Sequence, residues 1–541
     1  MGSKLAWQDH AVVLAYLGFT LLVGLFASRK QDSDDEYFLA RRQLPSWAVG
    51  LSILATLLSS LTYLSEPGEV WKSGVMNALG KLMAIPIEMT IVWMFIIPFL
   101  MRFRFTSAYE YLEYRYNYTA RLQGVTLFTL MSVAWMGFVV LAVSRAISHV
   151  TGVPLWIVVS TVGFVSTIYT VMGGMRAVVW TDVAQILLML AGGIICISFI
   201  ALKTGTGPVQ WYAAVQAQGT SAGTGLQFFS LDPFTRSSVV TVGISMLVWH
   251  LCTHAGSQMT VQRYFSTSNL QAARTSFVWA SLTGVAVNLL LLVTGMALVY
   301  FYTKGPGQLS ADIDPLGRTK GAYNADYLFP SFMANYLPAG LAGGVLSAVL
   351  AAAMASIDSG TNSLSAVISV ERSRREPRSR FTPHDDEPED PAKMLVNARW
   401  LTLFIGVAIT IVAIGIDGLT ASRNIVEMMP RTFNCFTAPL GGLFLIGMFL
   451  PFVTGRAIVP ATILGLLTSM SLAFAKEWFR LEQDISPMWI MPASLWVMTL
   501  AAVLFSWFDH PSPETTFGLT WFTRRQQVLM DLPLDKDFQE P

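Results

Sequence analysis

The 541-residue sequence predicts an all-α membrane protein whose core is two halves of five helices each. Three observations carry that expectation. Hydrophobic residues make up 53% of the chain and charged residues only 13%, with a mean hydropathy of +0.52. The charged share is about half that of an ordinary soluble domain. Apolar stretches of the roughly 20 residues needed to cross a bilayer recur nearly from end to end. Finally, two of those stretches, five spans apart, are interrupted by polar residues.

Apolar length gives about 13 spans, over approximately 8–29, 45–74, 76–101, 121–148, 153–172, 176–203, 237–258, 274–302, 330–371, 396–416, 423–450, 456–475 and 487–508. The shortest links fall near Trp71 and Gly173. The first run is long enough to be a retained helix rather than a cleaved signal. The Met1-Gly2 start lacks the hydroxyl residue that N-myristoylation needs, because Ala6 stands there.

Lysine and arginine set the orientation. With the N-terminus outside, Arg29, Lys30, Arg41, Arg42, Arg102, Arg104, Arg115 and Arg121 fall in the cytoplasm. The basic loop carrying Arg372, Arg374, Arg375, Arg378 and Arg380 falls there too, as does the tail 509–541. The long loops 204–236 and 303–329 are poor in basic residues and lie outside. The expected organisation is 1–44 as N-terminus, first helix and link, 45–203 as the first repeat, and 204–236 as an extracellular loop. The second repeat follows at 237–450, then C-terminal helices at 451–508 and the cytoplasmic tail. The mixed-charge stretch Glu371–Lys393 reads as a solvated loop.

Several function classes are excluded. A net charge of +1 without a basic aromatic patch gives no reason to expect nucleic acid. No P-loop, Rossmann fingerprint or zinc spacing is present, so the chain carries no ATP motor of its own. Cys196, Cys252 and Cys435 sit in apolar segments and read as packing residues. No Ser/His/Asp or HExxH arrangement suggests an enzyme. A channel would need a continuous pore, and a tail of about 33 residues is short for a sensor's output domain.

Broken helices at mid-membrane are what a gated carrier uses to bind ions, through freed carbonyls and helix ends. In the second span hydroxyls cluster over Ser59-Ser60-Leu61-Thr62-Tyr63, and Pro67 follows. In the seventh, His250-Leu251-Cys252-Thr253-His254-Ala255-Gly256-Ser257 is polar where a simple span would be apolar. Breaks are therefore expected near Ser59–Thr62 and Thr253–Ser257. Ser59, Thr62, Tyr63, His250, Thr253 and His254 become candidate solute contacts, with Trp135 from the fourth span. His250 and His254 stand at i and i+4 on one helix face, where a metal pair is conceivable. No third ligand is identified, so hydrogen bonding is the expectation. The ninth span holds Ser356-Ile357-Asp358-Ser359-Gly360-Thr361-Asn362-Ser363, oxygen-rich as a hard cation requires. Asp358 is either a deep functional carboxylate or part of a helix end near the interface. Asp182 is either an N-terminal helix anchor or a cation ligand.

The run Tyr169-Thr170-Val171-Met172-Gly173-Gly174-Met175-Arg176-Ala177-Val178-Val179-Trp180-Thr181-Asp182-Val183-Ala184-Gln185 closely resembles the signature of the sodium/solute symporter family. Asp35-Glu36-Tyr37-Phe38-Leu39-Ala40, Gln262-Arg263, Leu337-Pro338-Ala339-Gly340-Leu341-Ala342-Gly343 and Ala438-Pro439-Leu440-Gly441-Gly442-Leu443-Phe444 are similar to that family's motifs in order and spacing. The resemblance spans roughly 8–475 and implies a LeuT-like inverted five-plus-five repeat. One extra helix precedes the repeat and about two follow it. It also implies alternating access in the cell membrane, driven by sodium as coupling ion, with no other cofactor and no obligate protein partner.

Carried over by motif, the main sodium site would use the carbonyls of Ala55, Leu58 and Ala352 and the Ser356 hydroxyl. Ala355 replaces a second hydroxyl, so either Asp358 or Ser359 fills the gap, or sodium binds weakly, or the ion is a different one. Asp182 and Ser359 match positions that serve a second sodium in some relatives. Of the sugar branch's ligands, Lys81 stands where an acid is usual and Gly284 where a lysine is. Thr253 stands for a gate tyrosine and His250 for an asparagine. Lys81 at the site would favour an anionic carboxylate. Snorkelling of Lys81 to the interface, or pairing with Glu66 or Glu69, would favour a sugar or polyol instead. A non-enzymatic sensor of the same fold is the remaining alternative.

Overall fold

The computed structural model describes residues 5–28, 33–222, 227–235, 237–309, 325–373, 391–419 and 425–526. The long helices are α1 (Trp7–Ser28), α2 (Ser46–Leu57), α3 (Ser60–Ser73), α4 (Met76–Ile91), α5 (Tyr118–Thr151), α6 (Leu155–Thr204) and α7 (Val239–Gly256). They continue as α8 (Gln258–Phe265), α9 (Leu270–Thr303), α10 (Leu341–Ser373), α11 (Pro391–Leu419), α12 (Ile425–Phe449), α13 (Gly455–Ala473) and α14 (Ile490–Ser506). Side-chain caps fix several starts: Asn117 accepts from Ala120 N at 2.9 Å before α5, and Asn269 from Ala272 N at 2.9 Å before α9. Among the described residues, eleven helices are long and apolar enough to cross a membrane, and the bent pair α2–α3 makes a twelfth. This is a multi-pass membrane protein. α10 is the most enclosed span, with 89% of its apolar window buried against 17% for α1, so α10 is central and α1 peripheral.

Both expected interruptions exist, each at one edge of its expected window. α2 and α3 are bent by 66°, with the break at Leu58–Ser59. Leu58 leaves the helical region (φ −92°, ψ 97°), and the Ser59 hydroxyl accepts from Thr62 N at 3.3 Å. The hydroxyl cluster therefore starts the second limb rather than unwinding it. Pro67 sits inside α3 without ending it. α7 stops at Gly256, and Ser257 (φ −83°, ψ 118°) joins it to α8. The end of α7 packs so closely on α12 that a Cβ on Gly441 would lie 2.2 Å from Cys252 Cβ.

α6 contains 50 residues, about 75 Å of helix at 1.5 Å per residue, more than twice a bilayer's hydrocarbon thickness. It is broken at Gly174 (φ 53°, ψ −153°). A Cβ there would meet Tyr37 O at 2.5 Å, so both the positive φ and the close approach demand glycine. The three cysteines are buried and unlinked. Residues 374–390 of the charged loop lie outside the described residues, but its first residue, Glu371, pairs with the buried Arg121 at 2.5 Å.

Candidate functional site

Two polar assemblies meet at the α2–α3 break. The first is a buried ion network. Arg263 of α8 is wholly enclosed and uses its whole fork. Its Nε donates to Ser52 Oγ at 2.7 Å, Nη1 to Met259 O at 2.6 Å, and Nη2 to Asp182 Oδ2 at 3.1 Å and Ser359 Oγ at 2.5 Å. Ser52 in turn donates to Asp182 Oδ2 at 2.5 Å, and the Thr56 and Ser359 hydroxyls lie 2.9 Å apart. Asp358 accepts from Tyr169 OH at 2.6 Å and from Ser359 N at 2.7 Å. The network thus ties α2, α6, α8 and α10 together. It sets two buried carboxylates against one guanidinium, and Asp182 Oδ1 has no hydrogen-bond partner among the described residues.

Asp358 lies at the middle of α10 and is fully buried, so it is not part of an interfacial helix end. Asp182 lies eight residues beyond the Gly174 break and bonds to a buried arginine rather than to helix N-terminal amides. Arg263 itself was visible in the sequence only as part of a motif. A carboxylate in an apolar span needs a buried cation or donor, and that need was the one signal pointing to it.

The second assembly is a cavity of about 530 Å³ walled by α2, α3, α4, α7, α9, Trp135 of α5, the first half of α12 and residues 484–488. Thr62, Lys81, Trp135, His250 and His254 line it, as expected of solute contacts, and Leu58 at the break also reaches it. Its wall carries the cations Lys72, Lys81 and Arg431 against the carboxylates Glu66, Glu69, Glu88 and Asp484. Lys81 forms an ion pair with Glu66, so it does not stand as an unpaired cation. Of the two alternatives for Lys81, the one found is pairing with Glu66, fifteen residues earlier on the neighbouring helix. Arg431 meets Asp484 at 3.1 Å.

Three expected solute contacts lie outside the cavity wall. Ser59 caps α3. Tyr63 is buried and donates to Met189 O at 2.8 Å while packing on Phe329. Thr253 faces a separate small void beside Trp135 and Met259. Of the expected sodium ligands, Ala55, Leu58, Ala352 and Ser356 are all buried, and Ser356 Oγ lies 3.5 Å from Ala352 O. Asp358 and Ser359 are engaged by Tyr169, Arg263 and Thr56 instead. Sequence reasoning missed Glu88. It lies within hydrogen-bonding distance of His250 Nδ1, at 2.8 Å, and 3.5 Å from His254 Nε2. A carboxylate inside the apolar run of α4 was the overlooked signal.

A broken helix with a buried ion network on one side and a solute-sized cavity on the other is the arrangement that suits a gated, ion-coupled carrier. Residues 37–465 match the Sodium:solute symporter family, and the chain belongs to that family. It is similar to the sodium/sialic acid symporter SiaT of Proteus mirabilis, 27% identical over 87% of this chain and 89% of that protein. It is also similar to the sodium-coupled monocarboxylate transporter 1 of Xenopus laevis, 28% identical over 87% and 72% respectively. Among solved structures, a substrate-bound, outward-open Na+-coupled sialic acid symporter superimposes with a TM-score of 0.80 at 25% identity, over 94% of this chain and 98% of that one.

Proposed function

We propose that this chain couples sodium entry to uptake of a small carboxylate-bearing solute by alternating access. The observation that carries the coupling is the break at Leu58. Leu58 ends α2, so its carbonyl is released from the helix ladder, and its side chain lines the cavity. A sodium held by the carbonyls of Ala55, Leu58 and Ala352 and by Ser356 Oγ would then sit beside bound solute. Asp182, with one oxygen lacking a hydrogen-bond partner among the described residues, supports a second cation position. Asp358 and Ser359 are less suited to completing the first shell, because other groups already hold them.

In this proposal the two limbs of α6 are separate spans, giving thirteen. α2–α3 and α7–α8 open the two inverted repeats, α1 precedes them, and α13 and α14 follow. The N-terminus lies outside and the tail inside the cell membrane, with the division of the chain given above.

The carboxylate is supported by relatives whose names carry acids, sialic acid and monocarboxylates, at 27–28% identity. It no longer rests on Lys81. The Lys81–Glu66 pair favours a second reading, a neutral sugar or polyol. Reconstituted protein in proteoliposomes under a sodium gradient decides between them. The expected result is saturable, sodium-dependent uptake of sialic acid or a short monocarboxylate and none of glucose or mannitol. Uptake of the neutral solutes alone would overturn the carboxylate, and uptake indifferent to sodium would overturn symport.

A further inference from the structure

We propose that Glu88, His250 and His254 form a divalent transition-metal site whose open face looks into the solute cavity. The three come from two helices: Glu88 from α4, and the histidines from successive turns of α7. One ligand atom from each lies within 4.8 Å of the others, and all three residues line the cavity. Two imidazoles and one carboxylate suit first-row dications such as zinc or cobalt, not sodium.

The spacing fits that chemistry. Ligands about 2.0–2.1 Å from a tetrahedral metal stand about 3.3 Å apart. Here Glu88 Oε1 is 2.8 Å from His250 Nδ1 and 3.5 Å from His254 Nε2. The shorter approach pairs the Glu88 carboxylate with the His250 ring. His254 Nδ1 lies 2.6 Å from the Tyr264 hydroxyl. An Nδ1–H donated to that oxygen leaves the Nε2 lone pair facing Glu88, the outer-shell arrangement that orients a metal-bound imidazole. Phe277 packs edge-on against His254 at 5.1 Å and Trp249 against His250 at 4.8 Å, giving both rings apolar support.

Charge argues the same way. With neutral histidines the cavity wall carries one more carboxylate than cation among the described residues, and the ion-pair partners of the almost fully buried Glu88 there are the two imidazoles. A dication there reverses the sign of the wall. It also leaves coordination positions free for water or for a solute carboxylate, a consequence that rests on the solute proposed above. A bound metal would further clamp α4 to α7.

The test uses the full chain, purified in detergent on a histidine-free tag and stripped with chelator. Cobalt(II) is titrated in, read by its visible d–d absorption and by elemental analysis, then displaced with zinc. One cobalt per chain, saturable and displaced by zinc, is expected. His250→Ala and Glu88→Gln should weaken binding at least 100-fold, Tyr264→Phe about tenfold, and His149→Ala not at all. Variants that lose a monodisperse elution profile are set aside, and Tyr264→Phe, which alters a single oxygen, keeps the test open. The absence of a saturable one-per-chain signal, or unchanged affinity in His250→Ala, overturns the site. Accumulation of radioactive zinc inside sodium-driven proteoliposomes would mark the metal as cargo and overturn residence. Failure of sodium-dependent solute uptake would refute symport without touching the cobalt titration.

Discussion

Arg263→Gln is the substitution that most directly tests the buried network. The guanidinium makes four hydrogen bonds, to Ser52, Met259, Asp182 and Ser359. It is also the cation facing the buried carboxylates Asp182 and Asp358. A neutral glutamine strands that charge where water cannot reach it. Removing one partner of a buried pair costs about 3–5 kcal/mol, a large part of a folded state worth about 5–15 kcal/mol. Arg263→Lys should not recover the loss, because one ammonium cannot reproduce the fork that spans three helices. Adding Asp182→Asn to Arg263→Gln removes the stranded carboxylate and should return about 1–3 kcal/mol relative to additivity. The assay is reversible unfolding in detergent, with monodispersity as the folding check. Arg263→Gln within about 0.5 kcal/mol of wild type, the range of ordinary surface changes, would refute the network's role. Strict additivity in the double variant would refute the Arg263–Asp182 coupling.

Ser356→Ala should raise the sodium concentration for half-maximal uptake by about tenfold or more, since a hydrogen-bonding group on a charge contributes about 1.5–3 kcal/mol; an unchanged sodium dependence counts against the proposed shell. Asp182→Asn keeps shape and removes charge, so the expressed variant should transport with altered sodium dependence or stoichiometry, measured by paired ²²Na and solute fluxes. Identical sodium dependence would make Asp182 an anchor. Lys81→Met should impair uptake by stranding Glu66, and Lys81→Met with Glu66→Gln should recover most of it; no recovery would return Lys81 to a direct role with the solute.

The broken helices were legible because polar and glycine-containing runs cannot belong to a simple span, and both breaks fall at the margins of those runs. Composition made the membrane assignment equally plain. The break at Gly174 showed only as a short link near Gly173, because its immediate neighbours Gly173 and Met175 are apolar and no periodicity marks a positive φ. What the sequence concealed was pairing across helices. The Lys81–Glu66 pair was one of the alternatives named for Lys81, but no spacing rule chooses between residues on different helices. Arg263 and Asp182 are 81 positions apart, so two residues expected from a motif and from a carboxylate became one unit only in three dimensions. Glu88 was hidden because it belongs to α4, and no spacing rule joins it to the i, i+4 histidines of α7.

The placement of Leu58 and Arg263 suggests why ion and solute need not communicate over distance. Leu58 reaches the cavity while its peptide ends α2, and Ser52 and Thr56 on the preceding turns of the same helix contact Asp182 and Ser359. One short helix therefore carries the wall of the solute cavity at its end and the ion network along its flank. A shift of α2 that opened the cavity would change the Ser52–Arg263 and Thr56–Ser359 contacts in the same step. Differential contact in two states is what coupling requires. The network bonds α2 to α10, the most enclosed span, so α10 offers a fixed reference against which α2 moves. Loosening those bonds through Ser52→Ala should then alter sodium dependence and solute affinity together. A change confined to one of the two would place the coupling elsewhere.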